Sequence, residues 1–359
     1  MAVPAPSAAP SPPARDHGFH PLRVARVVRE TADASSFVLE VPAELRDAFA
    51  YEAGQFCTFR ATLDGREYLR CYSMSSAPAV GDELQVTVKR VPGGAVSNWM
   101  NDALSVGDVV EVTCPAGVFC LGPADRELVA FAGGSGITPV FSLLKTALAT
   151  TSRRARLLYA NRDPASVIFA AGLDDLVARP GGRLQVGHHY DIDRGFVDGD
   201  EVRAFLGGAV DADFYLCGPQ PFMDVVEAAL LGEGVDPGRV HIERFTPPEP
   251  LAPPVAESGP GASAEGAVVT VQVGARTGVA THRPGTTLLQ AARQLGLSPP
   301  SSCEAGNCAT CMAKLVEGAA MMHVNNALTD DEVAAGWVLT CQAVPTSPSV
   351  RVVYGYEEA

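Results

Sequence analysis

The chain reads as a multidomain protein: an antiparallel β-barrel, then an α/β unit with a parallel sheet, then a smaller α+β unit. Three observations predict this. Residues 19–124 carry short runs of alternating apolar and polar residues separated by turn residues, the texture of strands that close into a barrel. Residues 125–247 alternate wholly apolar runs of strand length with longer helix-like segments, which implies a buried parallel sheet. Between Thr246 and Gly266 the composition changes abruptly: TPPEPLAPPVAESGPGASAEG has six prolines, three acidic residues and no basic one. That is linker composition, assigned to 248–266, with the last unit on 267–359. At the ~3.1 Å per residue of polyproline II the stretch reaches at most roughly 65 Å, so the last unit can be mobile.

At 359 residues the chain is too long for one small domain, and 47% hydrophobic residues suffice for several packed cores. The net charge of −14 is spread out: −4 over 1–124, −5 over 125–248, −3 over 249–266 and −2 over 267–359. No segment is a basic patch, which argues against nucleic acid and anionic lipid as partners. Residues 1–18 hold five prolines and five alanines. They lack the basic and apolar regions of a secretory signal, so a disordered tail is expected there. The apolar uncharged stretch Leu128–Leu144 is interrupted by Gly133, Gly134, Gly136 and Pro139 and does not suit a membrane span. A soluble, cytoplasmic monomer is expected. Nine cysteines, an odd number with clustered spacing, point to a reducing compartment and thiols kept for chemistry.

In the barrel region the expected strands are HPLRVARVVRE, SFVLEVP, QFCTFRAT, LQVTVKRV and VVEVTCP, with turns at Leu63-Asp64-Gly65 and Val80-Gly81-Asp82. In the α/β region LVAFAGG, RLLYANR, LQVGHHY and DFYLCGP are buried strands, and PVFSLLKTALAT and PFMDVVEAALLGEG are helices. After the linker VVTVQVG and GVATHRP form a hairpin, and TTLLQAARQLGL is a short amphipathic helix. Thr329-x-x-Glu332 is a capping box opening another helix, and VLTCQAV and SVRVVYGY are closing strands.

The strongest motif is Cys303, Cys308 and Cys311 in a C-x4-C-x2-C pattern, with Cys341 in a later strand. This is the plant-type spacing for a [2Fe–2S] cluster, in which each iron needs two protein thiolates. Small residues in the loop (Ala305, Gly306, Ala309, Thr310) let backbone N–H groups turn toward the sulfurs. A structural zinc site is the alternative, but such sites usually carry two C-x2-C knuckles and here there is one. The segment resembles the plant-type ferredoxin family over 267–359. That resemblance implies a β-grasp fold, with Cys303 and Cys308 on one iron and Cys311 and Cys341 on the other.

Upstream, Arg70-Cys71-Tyr72-Ser73 stands at a strand end, and Lys89 precedes the glycine turn Gly94-Ala95-Val96-Ser97. A tyrosine can stack on a planar ring, a serine can donate to its edge, and an arginine can pair with a pyrophosphate. Glycines let backbone N–H groups approach phosphate oxygens. Gly133-Gly134-Ser135-Gly136-Ile137-Thr138-Pro139 then leads from a buried strand into a helix, whose free N–H groups favour a phosphate. Cys217-Gly218-Pro219 ends a later strand. Each signal alone is weak.

Their order over residues 19–247 resembles the ferredoxin–NADP reductase family, which makes 19–124 an FAD-binding barrel and 125–247 an NAD(P)-binding domain. The resemblance implies that Arg70 contacts the FAD pyrophosphate, Tyr72 stacks on the isoalloxazine and Ser73 hydrogen-bonds near its N5. Lys89 and the 94–97 turn complete the flavin contacts, with Cys71 inside the motif. It puts Thr138 near flavin and nicotinamide, Cys217 where the two rings meet, and Phe245 over the flavin face. Ser73 and Cys217 are the catalytic candidates. Arg162 suits a 2′-phosphate and so NADPH, whereas the adjacent Asp163 suits the free hydroxyl of NADH, and both remain open. His188, His189 and His323 lack metal-spaced partners and read as structural or surface groups. Cys57, Cys71, Cys114 and Cys120 have no assigned task.

With the ferredoxin-like end the whole layout resembles reductase components of bacterial oxygenases, of the 3-ketosteroid 9α-hydroxylase and phenylacetyl-CoA epoxidase types. The implied activity is transfer of electrons from NADH or NADPH through FAD and the cluster, singly, to a partner oxygenase. A hybrid-cluster protein reductase and a low-turnover electron carrier or redox sensor are the alternatives.

Overall fold

The computed structural model describes residues 18–245 and 266–356 apart from Pro284, Ser298, Ser302, Cys303, Ala305, Asn307, Cys308 and Asn326. The expected tail, the expected linker and two of the four cluster cysteines therefore lie outside the described residues, save for Gly18 and Gly266 at their margins.

Six strands form the first sheet: β1 (Phe19–Thr31), β2 (Ala34–Glu40), β3 (Phe56–Leu63), β4 (Arg66–Ser73), β5 (Gln85–Lys89) and β6 (Val109–Thr113). Their order is β4-β3-β6-β1-β2-β5, every pair antiparallel. An antiparallel bridge between Met74 and Val86 joins the two ends of that order and closes the barrel. Alternation decides which side chains go in: Leu22 and Val24 are fully buried while Pro21, Arg23 and Ala25 between and beside them are exposed. The β3–β4 turn falls on Asp64 and Gly65, both with positive φ, the backbone that a two-residue hairpin requires.

After β5 the structure departs from expectation. The 94–97 segment is not a bare turn but the start of helix α1 (Ala95–Asp102). Gly93 adopts a left-handed φ of 71° that reverses the chain, and Ser97 Oγ accepts the Val91 N–H at 3.1 Å. Asn101 then ties the helix to β5 by donating to the Val88 carbonyl at 3.0 Å.

The α/β unit follows with β7 (Glu127–Gly133), α2 (Ile137–Thr150), β8 (Ala155–Asn161), α3 (Ala170–Val177), β9 (Leu184–Tyr190), α4 (Asp191–Arg194), α5 (Gly199–Leu206), β10 (Ala212–Cys217), α6 (Gln220–Gly232) and β11 (Val240–Glu243). All strands are parallel in the order β11-β10-β7-β8-β9. The chain runs outward from β7 in one direction and returns to its other side at β10. The crevice beyond the ends of β7 and β10 is thus a topological switch point, where such sheets bind ligands. Every residue of β10 is buried, as expected for a strand covered on both faces.

Barrel and α/β unit share one core. Ala34, Ala53 and Phe119 pack in a single cluster with side chains of β7 and α2. Ser142 of α2 donates to the Ser76 carbonyl at 2.5 Å. Across the junction, the Tyr215 hydroxyl accepts from Gly122 N–H at 2.9 Å and donates to the Cys120 carbonyl at 3.2 Å. The buried Arg153 reaches the Gly122 carbonyl at 2.6 Å and Asp213 at 3.3 Å.

The last unit contains β12 (Val268–Val273), β13 (Arg276–Thr281), α7 (Leu288–Gln294), β14 (Met312–Glu317), β15 (Ala320–Met322), α8 (Asp330–Ala334), β16 (Trp337–Leu339), β17 (Ala343–Pro345) and β18 (Ser349–Tyr354). A mixed five-stranded sheet, β13-β12-β18-β14-β16, carries α7, and β15-β17 form a small second sheet. The Thr329–Glu332 capping box is present, and Thr287 with Gln290 makes a second one at α7. The expected single strand VLTCQAV is corrected: it is two short strands, β16 and β17, separated by a turn at Thr340–Gln342. The break exists because Thr340 binds Cys311 through both its N–H, at 3.2 Å, and its hydroxyl, at 2.7 Å, instead of extending the ladder.

Candidate functional site

A cavity of about 490 Å³ opens where the barrel meets the ends of β7 and β10. That volume lies in the usual range for a small-molecule site. The end of β4 brings Arg70, Cys71, Tyr72 and Ser73 to its wall. Lys89 ends β5, and Gly94, Ala95, Val96 and Ser97 supply the first turn of α1. The α/β side contributes Gly133, Gly134, Ser135 and Thr138 after β7, and Gly218 and Pro219 after β10. Phe245, just beyond β11, closes the wall and is 38% exposed.

Four sequence-predicted residues do not line this cavity. Gly136 and Pro139 are turned into the helix that follows, and Cys217 is fully buried. A Cβ on Gly136 would stand 2.1 Å from the Cys217 carbonyl oxygen, so only glycine lets the two turns touch. Burial, reinforced by the carboxylate of Glu243, raises the Cys217 thiol well above its ordinary pKa. It stays protonated at neutral pH and is no nucleophile.

The fourth, Arg162, lies apart at the end of β8. Its Nε donates to Asp163 at 2.8 Å and its terminal nitrogen to Ser166 at 2.8 Å. Asp163 in turn accepts from the N–H and the hydroxyl of Ser166. Arg162 and Asp163 thus form one hydrogen-bonded unit rather than two independent ligands. Of the histidines, His189 is fully buried beside Glu201 at 2.7 Å and the Gly195 carbonyl at 2.7 Å, whereas His323 is exposed.

Ser73 carries the clearest sign of an occupant. It is 2% exposed, and its Oγ has no hydrogen-bond partner among the described residues. A buried hydroxyl left alone costs free energy, and a polar ring edge in the cavity would satisfy it. Tyr72 packs edge-on against Phe59 with centroids 5.4 Å apart, and burial pushes its phenol well above the ordinary value against the pull of Arg70. It therefore presents a neutral ring to the cavity. The first turn of α1, whose opening N–H groups have no acceptor within the helix, lines the same cavity and suits phosphate. These residues fit a flavin dinucleotide.

Six lining residues lie outside the sequence-predicted set, three of them Thr87, Val88 and Val91 along and just after β5. Of the others, Phe56 starts β3, Glu243 ends β11 and Arg244 follows it. Glu243 is 9% exposed and sits opposite Cys217 in the β10–β11 register. The available signal was its closeness to Phe245 in sequence.

In the last unit Cys311 and Cys341 are 2% and 3% exposed and share one apolar cluster with Leu289, Met312 and Leu339. Cys303 and Cys308 lie outside the described residues. The loop around them turns through left-handed backbone at Glu304, Gly306 and Ala309. Arg293 holds Glu304 through two hydrogen bonds of 3.1 and 2.5 Å, and Gln342 donates to the Glu304 carbonyl at 2.8 Å. Behind Cys311, the Tyr354 hydroxyl binds Thr340 at 2.6 Å and Thr340 binds the Cys311 carbonyl. Two buried thiols, one on a braced loop and one on the turn between β16 and β17, suit an all-cysteine iron–sulfur donor set.

Three family models match the chain: an oxidoreductase FAD-binding domain at 21–120, an oxidoreductase NAD-binding domain at 131–228 and a 2Fe-2S iron-sulfur cluster binding domain at 273–346. A similar protein is the ferredoxin reductase component of 3-ketosteroid-9-alpha-monooxygenase from Rhodococcus rhodochrous, 38% identical over 93% of this chain and 96% of that one. A component of the 1,2-phenylacetyl-CoA epoxidase from Escherichia coli is 34% identical over 93% of this chain and 97% of that one. Among solved structures phthalate dioxygenase reductase aligns with a TM-score of 0.57 and 27% identity, covering 94% of this chain and 98% of that one. The chain belongs to the family of oxygenase reductase components, NAD(P)H-dependent oxidoreductases that join an FAD-binding barrel, an NAD-binding domain and a C-terminal [2Fe–2S] ferredoxin domain.

Proposed function

We propose that the chain supplies electrons from NADH or NADPH to a partner oxygenase of the 3-ketosteroid 9α-hydroxylase type, with the phenylacetyl-CoA epoxidase type as the second reading. The observation that carries this is the shared cavity in which the Arg70–Ser73 strand end, the α1 N-terminus and the two α/β turns converge. FAD bound there would supply hydride acceptance from the nicotinamide, and a [2Fe–2S] cluster held by the cysteines would supply one-electron transfer onward.

The residues divide the work as follows. Arg70, Lys89 and the 94–97 turn hold the dinucleotide phosphates. Tyr72 covers the flavin ring, Cys71 lies along its edge, and Ser73 donates to the ring edge that receives hydride. Gly133, Gly134, Ser135 and Thr138 seat the nicotinamide nucleotide, and Gly136 and Pro139 shape the turn behind them. Gly218 and Pro219 set the nicotinamide against the flavin, with the neutral Cys217 supporting that turn from behind. Phe245 shields the flavin until the nicotinamide enters. Cys303, Cys308, Cys311 and Cys341 bind the cluster. The partition is a tail at 1–18, FAD domain at 19–124, NAD(P) domain at 125–247, linker at 248–266 and ferredoxin domain at 267–359, in a cytoplasmic monomer.

The test is anaerobic mixing of the purified protein with NADH or NADPH. Flavin bleaching followed by cluster bleaching is expected, then turnover of a 3-ketosteroid oxygenase supplied with this chain. A protein that holds zinc and no flavin refutes the reading. Because Arg162 is the exposed half of its pair, Arg162→Ala should lower kcat/KM for NADPH about tenfold and leave NADH less affected, as expected for loss of a charged hydrogen bond.

A further inference from the structure

Thr310 stands in the cluster loop, immediately before Cys311. Its hydroxyl oxygen lies 3.3 Å from Thr58 Oγ1 and 3.9 Å from Cys71 Sγ. Thr58 Oγ1 and Cys71 Sγ are themselves 3.4 Å apart. Thr58 on β3 and Cys71 on β4 face each other in register. Cys71 lines the flavin cavity, and Thr58 is 2% exposed. Three side chains, two from the barrel and one from the ferredoxin domain, thus form a triangle running from the cavity wall to the cluster loop.

The residue types suit a seat. Both threonines are β-branched, so their χ1 angles are restricted and their hydroxyls hold direction. The thiol at 71 is small enough to let the loop approach the barrel surface. A longer side chain there would hold Thr310 away. The three groups also bridge two domains, since both Thr310 contacts join chain regions more than 200 residues apart.

We propose that Thr58, Cys71 and Thr310 form the docking seat that positions the cluster loop against the flavin cavity for electron transfer within the chain. This rests on the functional reading above and adds the contact through which the two cofactor sites meet. In the step served, one electron leaves the reduced flavin and one enters the cluster. The thiol and hydroxyls are neither oxidised nor reduced, and they act as positioning residues only.

The test compares the full-length holoenzyme with Thr58→Val, Thr310→Val and the double variant, each nearly isosteric and lacking the hydroxyl. Flavin and cluster absorbance are followed separately after anaerobic mixing with NADH or NADPH. Loss of one hydroxyl contact should lower the docked population, and with it the rate of cluster reduction, by about fivefold. Flavin reduction should keep its rate. The double variant should be no slower than the single ones, because both hydroxyls serve one contact. As a readout independent of turnover, alkylation of Cys71 by iodoacetamide, mapped by peptide mass spectrometry, should speed up in the valine variants. Unchanged cluster reduction, unchanged Cys71 alkylation or simply additive losses would overturn the proposal. If Thr310→Val fails to load the cluster, Thr58→Val carries the same test from the barrel side. Wild-type protein whose flavin is not reduced at all refutes the functional reading instead.

Discussion

The flavin cavity and the cluster loop are built on opposite principles. The cavity draws its wall from six separate places in the chain, at the start of β3 and the ends of β4, β5, β7, β10 and β11, and each place contributes one or a few residues. The cluster site draws on one loop and one return turn, with Cys311 and Cys341 buried in one apolar cluster. A distributed site loses function by degrees. A concentrated one fails as a unit.

The strongest challenge to that contrast is Cys341→Ser. It should abolish cluster absorption and lower transfer to an external acceptor by at least the ~100-fold seen when outer partners of metal ligands are lost. Flavin reduction by nicotinamide should survive. Iron analysis and stopped-flow absorbance check both halves, and loss of flavin reduction would mean that the two regions are not separable. Next in size, Ser73→Ala should slow flavin reduction by ~100-fold while FAD content stays constant. Because the Ser73 hydroxyl has no partner among the described residues, Tm should move by less than about 2 °C.

Gly136→Ala probes the cavity from behind. The added methyl collides with the Cys217 carbonyl, and overpacking of this kind costs ~1–3 kcal/mol. Thermal unfolding should show Tm lowered by roughly 3–10 °C, together with a raised KM for the nicotinamide. The smallest effect is expected from Tyr354→Phe, which removes the hydrogen bond to Thr340 behind Cys311. The cluster should assemble, but a chelator should strip it about fivefold faster, in keeping with one lost hydrogen bond. An all-or-none loss would make the cluster site even more concentrated than described.

The same contrast explains what could be read from sequence. The cluster motif is legible because three of its ligands are close in the chain and thiol spacing is chemically specific. The strands are legible because burial imposes a period of two on the barrel and continuous apolar runs on the parallel sheet, as in β10. Glu243 and Phe56 were missed because strand pairing brings them to the cavity, and pairing leaves no local mark on a single sequence. Helix α1 was hidden for a different reason: its first residues follow a Pro-Gly-Gly turn, and its start is held by the Ser97 and Asn101 side-chain bonds. The division of VLTCQAV was invisible because Thr340 is spent on Cys311, a contact made across the fold.

The junction built by Tyr215 and Arg153 has a consequence for anyone recombining such proteins. Both residues belong to the nucleotide-binding sheet region, yet Tyr215 grips backbone at Cys120 and Gly122 and Arg153 at Gly122, all on the barrel side. A chimera that takes its barrel from one parent and its nucleotide unit from another therefore inherits a lock whose key comes from elsewhere. Exchange should succeed when Tyr215, Arg153 and the 120–122 segment travel together. Swaps of the ferredoxin domain, which leave that junction untouched, are the safer cut.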